Sequence, residues 1–227
     1  MKTMLLNGLF CAVVALAGCT SSRVTPDEYS GFLQDYGRLQ PAESVSGKEV
    51  MRWIDPQAKL SGYTRIYIEP SQLYPAPKPT AVISAQTLQM ITRYFDSALK
   101  REFGKDLQLV EAPGPNTIVM RAAITGVSTR NEGLKPYEVL PLWLMAAAVN
   151  TAAGGRDQTV EIATEAQFLD GASHALLAQV VRKSDAQELE NDRQPLTLDN
   201  VKSALDGWAV DMRQGYEKLA GSTAGRR

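Results

Sequence analysis

The chain has 227 residues, with 24 Lys and Arg against 25 Asp and Glu, one histidine and two cysteines. That length supports one domain with a sizeable core, and a net charge of −1 leaves no basic surplus to meet a nucleic-acid backbone. His174 as the lone histidine, with Cys11 and Cys19 as the lone cysteines, excludes the usual zinc, iron–sulfur and Cys/His nucleophile constellations; a metal would have to rest on carboxylates, and no cofactor is expected.

Residues 1–18 read as an address. Lys2 gives a positive start, and Leu5 to Ala17 form an apolar core of signal-peptide length, short of the roughly 20 residues a spanning helix needs. Leu16-Ala17-Gly18-Cys19 then resembles the lipobox of bacterial lipoproteins. The resemblance implies cleavage before Cys19 and a diacylglyceryl group on its thiol. With Cys11 removed and Cys19 lipidated, no disulfide can form in the mature chain. Thr20 stands where an inner-membrane retention signal usually has Asp, so the resemblance implies the periplasmic face of the outer membrane.

Residues 19–49 are expected to be a lipidated tether and a short helical segment. Thr20 to Glu28 is polar, with a reach of about 30 Å at most. Tyr29, Phe32, Leu33, Tyr36 and Leu39 recur at three- and four-residue spacing, which predicts one face of a short helix before Pro41 that packs on the parent domain. A periplasmic domain over 50–220 follows, with 221–227 as a flexible tail.

Within that domain, Arg65 to Glu69 predicts a strand with Ile66 and Ile68 on one side, ended by Pro70. Tyr74 to Thr80 carries three prolines and predicts a surface loop. Ser84 is placed to cap a helix whose face holds Leu88, Ile91, Phe95, Leu99 and Phe103, with Gly104 as its C′ residue. Leu107 to Val110 and Thr117 to Val127 read as a hairpin around Ala112-Pro113-Gly114-Pro115-Asn116. Thr159 to Asp170 alternates: Val160, Ile162, Thr164, Ala166 and Phe168 oppose Glu161, Ala163, Glu165 and Gln167, which predicts one buried and one wet face. Asp170-Gly171-Ala172-Ser173 supplies a turn into Ala175 to Lys183, and a second antiparallel hairpin. Leu198, Val201, Leu205, Trp208, Met212, Tyr216 and Leu219 mark a last helix, with Asp199 near its start and Lys218 near its end. The fold class is therefore α+β, a mostly antiparallel sheet with two main helices packed on one face. The arrangement is similar to small periplasmic α/β domains such as that of the curli secretion channel, an analogy of fold that transfers no function.

The stretches Tyr29-Ser30-Gly31-Phe32-Leu33-Gln34-Asp35-Tyr36 and Arg65-Ile66-Tyr67-Ile68-Glu69-Pro70, with the lipobox, resemble the bacterial lipoproteins of domain-of-unknown-function family 3313. The likeness extends through Leu99 to Phe103 and Thr159 to Asp170. No activity or catalytic residue is attached to that family, so the resemblance implies none here.

Residue chemistry offers few sites. Glu161 and Glu165, four positions apart on a strand, stand roughly 13 Å apart, beyond the roughly 5–9.5 Å of paired glycosidase carboxylates, and are expected on a solvated face. Asp170, Ser173 and His174 share a turn and cannot supply triad geometry. Gly154-Gly155-Arg156-Asp157 lacks the lysine and spacing of a phosphate loop, and Asp185 to Asp192, with Glu188 and Glu190, reads as a solvated acidic loop. Val139 to Ala153 is uncharged and is readable as a buried helix, a docking surface or a membrane-inserting segment.

The expected function is that of a non-enzymatic lipoprotein attached to the membrane through Cys19, binding an envelope protein or its own copies. The alternative is an envelope enzyme or small-ligand binder with a cleft lined by carboxylates and Arg156.

Overall fold

The computed structural model describes residues 23–77, 79, 83–131, 158–186, 189 and 194–224. The elements are β1 (Gln40–Glu43), β2 (Glu49–Ile54), β3 (Arg65–Ile68), β4 (Gln72–Leu73), α1 (Ala85–Phe103), β5 (Gln108–Leu109), β6 (Thr117–Asn131), β7 (Gln158–Asp170), β8 (Leu176–Asp185) and α2 (Leu198–Ala224). They form one eight-stranded sheet in the order β1-β2-β8-β7-β6-β3-β5, with β4 also on β6. From β1 to β6 every pairing is antiparallel; β3 and β4 join β6 in parallel, and β5 joins β3 in parallel. The sheet is thus mostly antiparallel and the class is α+β.

Both expected helices form. The Ser84 side chain accepts from the Thr87 N–H, and satisfies a donor that the first turn of α1 would otherwise leave unpaired. At the start of α2, Asn200 Oδ1 accepts from the Thr197 N–H and hydroxyl. The helices pack together on one face of the sheet, where Leu88, Ile91, Phe95, Leu99 and Phe103 of α1 meet Val201, Leu205, Trp208 and Met212 of α2 over Ile66, Met120, Ile124 and Ile162. Trp208 stands edge-on to Phe95. Phe103 lies against Phe168 and Tyr216.

The hairpin of β7 and β8 forms as expected, in register from Glu161↔Asp185 to Phe168↔Ala178 and shifted by one residue at Leu169↔Leu176. The hairpin expected between β5 and β6 does not. β5 pairs instead with β3, through Gln108 N–H to Thr64 O and Val110 N–H to Ile66 O. Pro113 and Pro115 lack the N–H groups a hairpin ladder would use, and the turn carries the chain past β3 into β6. Gly104 ends α1 in a right-handed conformation rather than the left-handed one expected of a C′ glycine.

The helix expected over Tyr29 to Leu39 does not form either. Apart from a single 3-10 turn at Pro26–Glu28, residues 24–39 run as an irregular strap. The apolar spacing nevertheless serves packing: Leu33 and Leu39 are buried with Val24 and Val181, and Tyr29, Phe32, Tyr36, Met51 and Trp53 close around them. Tyr29 stacks on Tyr36 at 4.4 Å, and Phe32 meets Tyr74 edge-on. The strap covers the sheet face opposite the helices.

Candidate functional site

That strap overturns the solvated face expected for β7. Glu165 is fully buried and Glu161 and Gln167 nearly so, because Val24 to Leu39 lies over residues whose alternation alone would leave them wet. Glu165 makes the covering possible. One carboxylate oxygen accepts from the Ser30 N–H at 2.8 Å; the other accepts from the Leu33 N–H at 3.3 Å and the Tyr36 hydroxyl at 2.5 Å. An irregular segment cannot satisfy its own backbone donors, so a buried acceptor replaces the water they lose. Burial, and then the hydrogen bond to Glu165, push the Tyr36 phenol up to about 12. Lys183 holds the same strap by its 2.6 Å contact to Glu28.

Asp170, Ser173 and His174 share their turn without forming a relay. Asp170 Oδ1 accepts from the Ala172 N–H, the Ser173 N–H and the Ser173 hydroxyl, and Oδ2 accepts from the Tyr63 hydroxyl. The Ser173 N–H, then its hydroxyl, hold the carboxyl at about 2, and burial against Asp170 pushes the Tyr63 phenol well up. His174 is exposed, in a left-handed conformation at φ 59. Gly171 is required here, since a Cβ would stand 2.7 Å from Gly114 O and 2.8 Å from Thr117 O.

The helix side of the sheet carries a polar group that the sequence reading passed over. Arg182 of β8 and Asp211 of α2 are 6% and 4% exposed and stand 3.4 Å apart. Asp211 also accepts from the Ser46 N–H at 2.8 Å and the Ser46 hydroxyl at 3.1 Å. Burial lowers the Arg182 guanidinium to about 10, with Asp211 opposing and the Arg52 charge adding; it stays a cation at neutral pH. Its Nε is buried without a hydrogen-bond partner. Arg52 pairs across from Val180, on the same face. The available signal was register: Arg52 shares parity with Val50 and Ile54, and Arg182 with Val180, so each charge occupies a strand position whose neighbours point to the core.

This pair borders a cavity of about 80 Å³ between α2 and the sheet, lined by Val50, Arg52, Ile54, Leu60, Phe168, Val180, Arg182, Asp211, Met212, Gly215, Tyr216 and Leu219. A second cavity of about 160 Å³ touches Arg182 as well, with Lys48, Glu49, Lys183, Ser184, Asp185 and Trp208. Leu189, within the acidic run, is fully buried in the main core. Among the described residues no group of three or more His, Cys, Asp or Glu is placed to hold a metal ion, and no helix is long and apolar enough to cross a membrane. Cys19, Val139 to Ala153, Gly154 to Asp157, Glu188 and Glu190 lie outside the described residues.

Comparisons with known proteins give a close sequence relative, distant structural likenesses and a family. The Escherichia coli K12 protein named "Uncharacterized lipoprotein YdcL" is 36% identical over 201 residues, covering 88% of this chain and 90% of the relative. Among solved structures, a PelC dodecamer of Paraburkholderia phytofirmans matches with TM-score 0.39 and 10% identity, over 73% of this chain and 96% of that one. A putative neuraminyllactose-binding hemagglutinin homolog of Helicobacter pylori matches with TM-score 0.39 and 8% identity, over 75% and 94%. The family described as "Protein of unknown function (DUF3313)" matches residues 28–212, and the chain belongs to that family.

Proposed function

We propose that the chain is a lipid-anchored lipoprotein of the cell envelope, a non-catalytic module on the periplasmic face of the outer membrane that binds an envelope protein or its own copies. Cys19 carries diacylglycerol and fatty acyl chains such as palmitate, which together anchor it stably. The lipobox and the lipoprotein name of the Escherichia coli relative support the anchor. The observation that carries the reading is the early start of packing: Val24 is 3% exposed and belongs to the cluster under the strap. Between Cys19 and Val24 the chain reaches no more than about 18 Å, so the domain stands against the membrane instead of swinging on a long tether. The carboxylates that a hydrolytic site would have needed are taken up in the fold, Glu165 by the strap and Asp170 by its turn. This supports a non-catalytic role.

Metabolic labelling with radioactive palmitate tests the anchor. Label enters the wild type, and Cys19→Ser accumulates as unlabelled precursor, because a hydroxyl cannot form the thioether; undiminished label in the variant overturns the assignment. In-cell crosslinking tests the module, and a reproducible lack of any partner or self-contact would count against it.

A further inference from the structure

The cavity beside Arg182 is asymmetric in a way that the packing of the core does not require. Its walls are mostly apolar, with Val50, Ile54, Leu60 and Tyr216 among them, and they include two neighbouring guanidiniums, Arg52 and Arg182, against one carboxylate, Asp211. Asp211 divides its acceptor capacity between Arg182 and Ser46. Arg182 keeps a buried Nε–H unpartnered, which is unfavourable because the group has lost water and gained no acceptor, and Arg52 makes no ion pair among the described residues. An arginine cannot relieve this by losing its proton. An anion at the Arg52–Arg182 end relieves it.

Gly215 is the second observation. It lies in the sheet-facing stripe of α2, one turn after Asp211 and one before Leu219, and lines the cavity. A glycine inside a helix is destabilising relative to alanine, yet a Cβ at Gly215 would meet nothing within 4 Å. No close approach demands it. Its missing side chain leaves the helix wall of the cavity open.

We propose that this cavity is a binding site for an amphiphile with an anionic head, the head on Arg52 and Arg182 and the adjoining methylenes against Val50, Ile54 and Tyr216. The cavity's volume of about 80 Å³ is about half that of the roughly 150 Å³ cavity known to hold benzene. It accommodates the first part of a chain, and the remainder leaves through the open side. A carboxylate head and a phosphate head share this chemistry.

The test uses Thr20 to Arg227, which contains every described residue, and measures binding of decanoate, decyl phosphate and decanol by calorimetry below their aggregation concentrations. One equivalent of decanoate or decyl phosphate binds at least ten-fold more tightly than decanol. Whichever head binds more tightly names the source, a fatty acid or a phospholipid-like lipid. Arg52→Gln weakens the anion about ten-fold and leaves decanol unchanged. Gly215→Leu, which fills the wall with a better helix former, melts no lower than wild type and binds none of the three. Equal affinity for decanoate and decanol, full binding by Gly215→Leu, or no saturable binding of any probe overturns the proposal; should Gly215→Leu fail to fold, Arg52→Gln decides alone. The protein tested carries no lipid, so these outcomes are independent of the Cys19 anchor.

Discussion

The two faces of the sheet are covered by different physical means. On one face α1 and α2 satisfy their own backbone hydrogen bonds, so apolar side chains make up most of the interface, and it supplies most of the buried core. On the other face an irregular strap has no such internal ladder. It is held by the small cluster of Val24, Leu33, Leu39 and Val181, and by a buried carboxylate that takes two backbone N–H groups and a phenol. Burial of apolar area alone can seat a helix; seating irregular chain also requires a polar acceptor in the sheet beneath it.

The contrast predicts unequal and separable stabilities. Trp208 is 7% exposed against Phe95, so Trp208→Ala should destabilise the whole domain by about 3–5 kcal/mol, read in denaturant melts as one cooperative loss. A loss below about 1 kcal/mol would show that this helix face does not carry the fold. Glu165→Ala should cost less, about 2–3 kcal/mol, because it orphans donors that regain water once the strap lifts. Its signature is local: protease cleavage and amide exchange accelerate in residues 24–39 while the β6–β7 amides stay protected. Equal acceleration in both regions would mean that the two faces unfold as one unit.

The same contrast explains what was legible in the sequence. A helix face announces itself through period, and the spacing from Leu88 to Phe103 and from Leu198 to Leu219 located both helices, as alternation located β7 and the turn after Asp170 located β8. The strap shows a helical period in Tyr29, Phe32, Leu33 and Tyr36 without forming a helix, since Gly31 takes a left-handed φ of 88 and Glu165 offers its N–H neighbours a better acceptor than a helical turn would. Alternation in β7 sorted residues onto two faces correctly. It could not say that the polar face is covered, because the cover comes from residues more than a hundred positions away. The Arg182–Asp211 pair was hidden for a related reason: each charge is ordinary in its own element, and only the packing of α2 on β8 brings them together.

A smaller effect is expected at the turn between β7 and β8. Asp170 is held at about 2, chiefly by Ser173, below the ordinary aspartate value of about 3.9. Its folded-state value is depressed, so its contribution is complete above about pH 4 and is lost as pH falls toward 2. With solvent screening the contribution is about 1–2 kcal/mol. Asp170→Asn should remove that part of the acid sensitivity, and acid melts of wild type and variant that remain parallel between pH 4 and 2 would show that the turn carries no such charge dependence.

The smallest effect at neutral pH isolates the phenol of the strap. Tyr36→Phe keeps the ring that stacks on Tyr29 and removes only the hydroxyl that donates to Glu165 and accepts from the Gly31 and Leu33 N–H groups. Gly31 is exposed and can turn to water, and Leu33 keeps Glu165 as acceptor, so the loss should be about 1 kcal/mol. In alkali the gap between the two proteins narrows. The Tyr36 phenol is raised to about 12 in the fold and ionises near 10 when the strap is open, so its neutral form favours closure fully below pH 10, and that contribution is lost as pH rises toward 12. The wild-type strap should therefore become more sensitive to protease through that window. Tyr36→Phe has no proton to lose at this position and should show a flatter rise, approaching or passing the wild type near pH 12. Parallel cleavage curves for the two proteins would mean that the hydroxyl, despite its 2.5 Å contact with Glu165, does not govern the closing of this face.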